Sequence, residues 1–392
     1  MTESVQTGAR ALWITENFPP GPGGMSVSCD RIVRGLRAEG VYIDVVHLVR
    51  QGHAPRLEAQ MGGTLLSFPV GEDTAHALNL LHERLVLDER RPAWTHLVAF
   101  GGNLPVLAGP TLAAWLDLPL LLLLRGNDFD AAMFSPSRRP LLREAIDRAA
   151  RICVVSGDKK RRIEALWPSA AVTWTPNAID PDDWRPLPSD LEQARSWRAE
   201  RIEPGVRVLG VFGQLKPKKG VLQLVDSLAR SGCTDRFHLL LVGELDEEIH
   251  SRLAYGEPPV PHTLHPFADR YALLRHYCAC DAVAIPSFYD GMPNVLLEAM
   301  SLGLPLVAST AGGMGDILRD GVHGFLFAPG DPHGCRLALA RLGETPDDTL
   351  AAMGEACRQA ASEFTPVRET RAYLDAFSSC PRSAIPPMEL RP

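Results

Sequence analysis

Short apolar runs alternate with helix-period segments along the whole chain. Residues 11–15, 42–48, 65–68, 96–100, 120–124, 152–155 and 172–174 form one series; residues 206–212, 238–242, 282–285, 306–309 and 324–327 form a second. These runs are hydrophobic with little alternation, as expected for strands covered on both faces. Amphipathic helices lie between them. Over residues 27–39, Cys29, Ile32, Val33 and Leu36 share one face, and Gly40 follows as a stop. Strand–helix alternation of this kind predicts doubly wound parallel sheets. The rhythm breaks between Asp180 and Gly205, where PDDWRPLPSD and a polar helical stretch intervene. The pattern therefore predicts two similar α/β halves without a sequence repeat. Two such halves facing each other leave a cleft at the ends of their strands, the default ligand site. A last helix is expected over residues 366–377, followed by a disordered tail over 381–392.

The 392 residues carry 47 acidic and 40 basic side chains, a formal net charge of −7 with histidine neutral. That balance excludes a protein held to nucleic acid by bulk positive charge. The eight cysteines include no C-x-x-C pair, which predicts reduced thiols in a cytoplasmic protein. Residues 1–10 lack an apolar signal core. The longest aliphatic stretch, 118–124, contains Pro119 and falls far short of the about 20 residues a membrane helix needs. Membrane contact is expected to be peripheral at most.

Three loops carry candidate chemistry. PPGPGGMS (residues 19–26) joins the first strand to the first helix, where glycine lets backbone N–H groups approach an anion. It lacks the Gly-Lys-Ser/Thr of a P-loop and the third glycine of a dinucleotide fingerprint, so an ordinary tight turn explains it equally well. GQLKPKKG (residues 213–220) again follows a strand and precedes a helix, and it crowds Lys216, Lys218 and Lys219 into one turn. Lysines are mildly unfavourable near a helix start, which tilts the reading from a solvated loop to a phosphate site. The third is PSFYDGMPNVLLEAMSLGLPLVAS, residues 286–309. A strand ends, a glycine-containing loop follows, and a helix opens near Pro293 with Val295, Leu296, Ala299 and Met300 as its buried face. Asp290 precedes this helix, and Glu298 lies five residues past Pro293, about 7–8 Å along the axis. Two carboxylates so spaced suit an elongated polyhydroxyl ligand, since each accepts hydrogen bonds from vicinal hydroxyls. On spacing alone, a turn-forming Asp290 and a solvated Glu298 fit as well.

The Asp290-x7-Glu298 spacing, followed by GLPLVAS and AGGMGDILRDGVHGFLF, closely resembles retaining glycosyltransferase family 4, the glycogen-synthase-like group 1 enzymes with the GT-B fold. The similarity extends over most of the chain. ENFPPGPGGMS looks like the family's glycine loop, TPNAIDPDDW like its Pro-Asn turn, and GQLKPKKG like its Gly-Arg-Leu…Lys-Gly segment. The resemblance implies a Rossmann-like acceptor-binding domain over 1–185, a linker over 186–205, a Rossmann-like nucleotide-sugar domain over 206–365, and a terminal helix and tail over 366–392.

It also implies roles. Glu298 would bind ribose hydroxyls of the donor. Asp290 with the backbone of Gly291, Met292, Pro293 and Asn294 would hold the donor sugar and diphosphate. Lys219 would neutralise the diphosphate, within a loop that includes Gly213, Gln214 and Lys216, and Gly23 and Gly24 would cap it from the opposite domain. The implied reaction moves a hexose from a nucleotide sugar, UDP favoured and GDP possible, to a hydroxyl of a small-molecule, glycan or lipid-linked acceptor, without a metal cofactor. A nucleotide-sugar epimerase or hydrolase, and a non-catalytic sugar-nucleotide binder, are the alternatives.

Three positions depart from the family pattern. Asp290 stands where Glu is usual, Gln214 replaces the usual Arg before Leu215, and RGND (residues 125–128) falls where many relatives have His-Gly-x-Asp. Arg125 and Asp128 are expected to line the cleft. KKRR, residues 159–162, reads as a solvated helix face more readily than as a site for an anionic acceptor or phospholipid. Phe267, after strand-like HTLHP, reads as a core aromatic more readily than as a contact to the base. The twelve histidines form no H-E-x-x-H cluster, and no Asp-x-Asp pair stands at a strand end.

Overall fold

The computed structural model describes residues 8–380 except Pro22, His53 and Asn127. The tail expected over 381–392 and most of the N-terminal segment lie outside the described residues. The chain divides into two compact units. One runs to Pro176 and resumes at Pro366; the other spans Asn177–Thr365.

The first unit is built on an eight-stranded sheet: β1 (Arg10–Thr15), β2 (Tyr42–Val49), β3 (Arg56–Gln60), β4 (Gly63–Pro69), β5 (His96–Phe100), β6 (Leu120–Leu124), β7 (Ala149–Val154) and β8 (Val172–Trp174). The strand order is β3-β4-β2-β1-β5-β6-β7-β8, and every pair except β3·β4 is parallel. Successive residues of β1 feed opposite faces. Leu12 and Ile14 join one apolar cluster with Val46, Leu97 and Leu122; Ala11 and Trp13 join another with Val45, Val98 and Leu121. A sheet covered on both faces needs apolar residues at every position, which is why these strands read as continuous runs. The antiparallel edge strand β3, RLEAQ, has no apolar run to betray it and is largely exposed.

The helix Pro366–Ser378 belongs to this first unit and lies against the helix Gly24–Ala38. A buried ion pair anchors it: Arg31 donates from Nε to Glu369 Oε2 at 2.8 Å and from Nη2 to Oε1 at 3.0 Å.

The second unit has six parallel strands: β9 (Arg207–Phe212), β10 (Phe237–Val242), β11 (His262–His265), β12 (Ala282–Ile285), β13 (Leu306–Ser309) and β14 (Gly324–Phe327). Their order, β11-β10-β9-β12-β13-β14, is the 3-2-1-4-5-6 arrangement of a doubly wound sheet. Strands β4-β2-β1-β5-β6-β7 of the first unit repeat that arrangement, so the two units share a topology without sharing a sequence. The segment expected as a linker is mostly the helix Pro188–Arg201. Arg198 ties that helix to the second unit, donating to the Ala279 carbonyl at 2.7 Å and to Asp281 at 2.9 Å.

All eight cysteines are free, and all but Cys278 are buried. Burial pushes the Cys29 and Cys153 thiols up to about 12, which keeps them protonated and inert. Among the described residues, no helix is long and apolar enough to cross a membrane.

Candidate active site

In a doubly wound sheet the chain leaves the first strand to one side and the fourth strand to the other, opening a crevice at their carboxyl ends. In the second unit those strands are β9 and β12, which pair directly. The loops that follow them, 213–220 and 286–293, carry the lysine cluster and Asp290.

Two glycines let the backbones close up. Gly220 has φ +68°, and a Cβ there would stand 2.1 Å from the Pro286 carbonyl oxygen. Gly312, with φ +52°, lies equally tight against the next loop, where a Cβ would stand 2.0 Å from the Asp290 carbonyl oxygen. Backbone bonds then stitch the loops together, Phe288 N–H to the Lys218 carbonyl at 3.0 Å and Gly313 N–H to the Gly291 carbonyl at 2.6 Å. Asn177 supports the same loop from Nδ2, donating to the Met292 carbonyl at 2.6 Å.

This frame brings Lys219 Nζ to 2.5 Å from Asp290 Oδ2, while the Gly291 N–H donates to Oδ1 at 2.9 Å. Burial alone would raise the Asp290 pKa. The Lys219 ammonium, its hydrogen bond, the Lys218 charge and the Gly291 N–H outweigh that effect and hold the carboxyl below its ordinary value. The sequence reading had aimed Lys219 at a ligand phosphate and Asp290 at a ligand sugar; in this structure each is the other's counterion. Of the remaining loop residues, Gln214 and Lys216 are exposed, and Gly213 adopts φ +104° as the chain leaves β9.

The helix after Asp290 spans Asn294–Ser301, with Pro293 just before it rather than inside its first turn. Its buried face is Leu296, Leu297, Ala299 and Met300. Val295, expected in that face, is half-buried, and Leu297 takes its place there. Glu298 lies one turn in and accepts a 2.7 Å hydrogen bond from the hydroxyl of Tyr277. The Tyr277 ring is fully buried and stacks on Phe212, the last residue of β9, with centroids 3.9 Å apart.

The corresponding loops of the first unit follow β1 and β5. Gly23 caps the helix Gly24–Ala38 with φ +104°, so the backbone turn there requires glycine. Glu16 lies just after β1, and its carboxylate accepts from the Asn103 and Leu104 N–H groups at 2.6 and 2.9 Å. It thereby satisfies the start of the helix Asn103–Trp115. Sequence reasoning quoted Glu16 within the glycine-loop motif but gave it no role. An acid directly after a strand and before a glycine loop was the available signal.

Four expectations are corrected by the structure. Arg125 does not line a ligand surface. Its side chain is 2% exposed, and its guanidinium donates to the Thr175 carbonyl, the Tyr373 hydroxyl and Glu369. Asp128 is spent on its own loop, accepting from the N–H groups of Arg125 (3.0 Å), Gly126 (3.2 Å) and Phe129 (3.0 Å). Lys159, expected on a solvated face, is buried and donates to the Gly126 carbonyl beside Asp130, while Arg161 and Arg162 stay exposed and pair with acids. Phe267, expected in a core, is 58% exposed. Among the described residues, no three His, Cys, Asp or Glu side chains gather as metal ligands would.

The family described as "Glycosyltransferase Family 4" matches residues 22–183, and "Glycosyl transferases group 1" matches residues 206–344. Among curated proteins, the 2-deoxystreptamine glucosyltransferase of Streptomyces kanamyceticus is 25% identical over 376 residues, 92% of this chain and 91% of that one. Two solved structures share the fold. Sucrose-phosphate synthase from Thermosynechococcus elongatus has a TM-score of 0.80 at 17% identity, covering 95% of this chain and 100% of the other. Anabaena Alr3699/HepE, solved in complex with UDP and glucose, has a TM-score of 0.74 at 19% identity, with the same coverage. The chain thus has the GT-B fold and belongs to the group 1, family 4 glycosyltransferases.

Proposed function

We propose that this glycosyltransferase moves a hexose from a UDP-sugar to a hydroxyl of a polyhydroxylated acceptor, with retention of anomeric configuration. The reading is carried by one arrangement: Lys219 and Asp290 meet at the switch point of the second sheet, and Glu298 stands one helical turn beyond. A diphosphate entering this crevice meets the Lys219 ammonium and the N–H groups at the start of the helix Asn294–Ser301. As the glycosidic bond breaks, the leaving diphosphate gains negative charge, and a cation already in place stabilises that charge more than the ground state. The acceptor hydroxyl passes its proton to the departing phosphate oxygen on the same face, so no side-chain base is required. With Lys219 in the cationic role, turnover proceeds without a divalent metal. The glucosyltransferase named among the relatives and the UDP and glucose held by HepE support a UDP-hexose as donor and a small polyol or aminocyclitol as acceptor.

The test is transfer from UDP-glucose, with GDP-mannose as the competing donor and 2-deoxystreptamine first among acceptors, in the presence of EDTA. The expected result is an α-linked product formed at the same rate with and without chelator. Release of free sugar without any transfer across an acceptor panel would favour the hydrolase alternative. Loss of activity in EDTA with recovery on adding Mg²⁺ or Mn²⁺ would overturn the metal-free mechanism.

A further inference from the structure

The phenol of Tyr277 is a polar group at the centre of an apolar stack, and its one described hydrogen bond goes to Glu298. The ring lies against Phe212, with centroids 3.9 Å apart and planes 26° apart, and meets Trp184 edge-on at 5.7 Å and 83°. Neither neighbour needs a hydroxyl; a phenylalanine would fill the same space. Burying a hydroxyl is costly without a partner, so the group is tolerated there because Glu298 receives it at 2.7 Å. Burial, followed by the charge of Glu298 and the hydrogen bond to it, raises the Tyr277 pKa well above its usual value. The phenol is a permanent donor at any working pH.

Glu298 sits on a helix with three rotatable side-chain bonds and is only half-buried. Without the phenol it would hold one orientation less firmly and lose more freedom when a ligand bound. The Tyr277 bond engages one of its two oxygens and thereby fixes the plane of the carboxylate. A carboxylate offers about four acceptor positions, enough to take the phenol and vicinal hydroxyls at the same time.

We infer that Tyr277 is a positioning residue that holds Glu298 in the orientation that accepts the ribose hydroxyls, and so makes the site selective for ribonucleotides over 2′-deoxyribonucleotides. This rests on the reading of Glu298 as the ribose acceptor, given above. Phe212 ends β9 at the switch point, and Tyr277, on the helix Arg270–Cys278, stacks on it.

The experiment is calorimetric titration of wild type, Tyr277→Phe and Glu298→Gln with UDP and with 2′-deoxy-UDP, using the guanine pair should the wild type prefer GDP. Wild type is expected to favour the ribonucleotide by about tenfold or more, as for a hydrogen bond to a charged group. Tyr277→Phe should keep the ring stack and a cooperative melting transition, which shows that the variant is folded. It should bind the deoxynucleotide like wild type while the ribose preference falls several-fold. Glu298→Gln should lose the preference as well. A loss in Glu298→Gln with full preference retained in Tyr277→Phe overturns the role of Tyr277 alone. Equal weakening of both ligands in Tyr277→Phe also overturns it, since that is the mark of a purely structural residue. Undiminished preference in both variants overturns the ribose reading of Glu298 and this inference together.

Discussion

The Lys219 ammonium lies 2.5 Å from Asp290 Oδ2 although 71 positions separate the two residues. The pair forms because two loops at the switch point of one sheet are drawn together by Gly220, where a side chain would collide with the Pro286 carbonyl. On the proposed function, a diphosphate that takes Lys219 would leave Asp290 to accept from the donor sugar.

Replacing Lys219 by alanine should therefore cost more in turnover than in binding. On the proposed mechanism the ammonium serves charge that grows as the donor bond breaks, and contacts of that kind are worth on the order of 10²-fold in rate. Initial rates and donor titration of Lys219→Ala measure the two effects separately. An unchanged rate would return the lysine loop to a solvated basic turn.

The same pair predicts an acid response. Asp290 has a folded-state pKa below its ordinary value of 3.8. A carboxylate depressed on folding adds stability above its unfolded pKa, and that contribution is lost as pH falls through the folded value. Without Lys219, burial becomes the dominant influence on Asp290 and pushes its pKa up. Lys219→Ala should melt below wild type at neutral pH, and the gap should narrow as pH falls to about 3, because wild type loses the Asp290 contribution while protonation relieves the variant's buried carboxylate. Coincident acid profiles would mean the pair does not tune Asp290.

The strands were readable because they are buried on both faces, so β5, β6 and β12 to β14 stand out as uninterrupted apolar runs with boundaries matching the structure. β3 was not, since an exposed edge strand pairs through its backbone alone. The Asp290–Glu298 spacing was equally legible, being local to one loop and one helix. What stayed hidden depends on long-range register. Arg125 in RGND reads like a ligand-binding arginine, yet its partner Glu369 is 244 positions away on the last helix. Nor does anything near Tyr277 or Asn177 in sequence announce that one holds Glu298 and the other the Met292 carbonyl.

Gly312 tests the loop packing directly. Alanine there meets two obstacles, a left-handed φ of +52° and a Cβ 2.0 Å from the Asp290 carbonyl oxygen. Gly330→Ala is the control, with φ +74° but nothing within 4 Å. Both should lose about 1–2 kcal/mol of stability from backbone strain. Only Gly312→Ala should displace the loop that carries Asp290 and weaken nucleotide-sugar binding, by about tenfold or more if a charged hydrogen bond is lost. Equal donor affinity in the two variants would show that the loop tolerates displacement.

The two carboxylates should separate by ligand. If its partners are the ribose hydroxyls, as proposed, Glu298→Gln should weaken free UDP and UDP-sugar alike, because both carry them. If its ligand partner is on the sugar, Asp290→Asn should leave the affinity for UDP nearly intact and reduce that for the UDP-sugar, or the transfer rate. A hydrogen bond to a charged group is worth roughly 1.5–3 kcal/mol, well within calorimetric reach. Asp290→Asn also strips Lys219 of its counterion. The amide variant therefore bears on pairing and recognition together, and Asp290→Glu is the needed companion. Glu restores the commoner family residue and keeps the charge, but it carries the carboxylate one methylene further into the crevice. If Asp290 is shortened to admit a particular sugar, Asp290→Glu should hold UDP normally while losing or changing its preferred UDP-sugar. If both carboxylates are merely structural, all three variants will lose UDP and UDP-sugar affinity in the same proportion, and the assignment of donor ends to Glu298 and Asp290 fails.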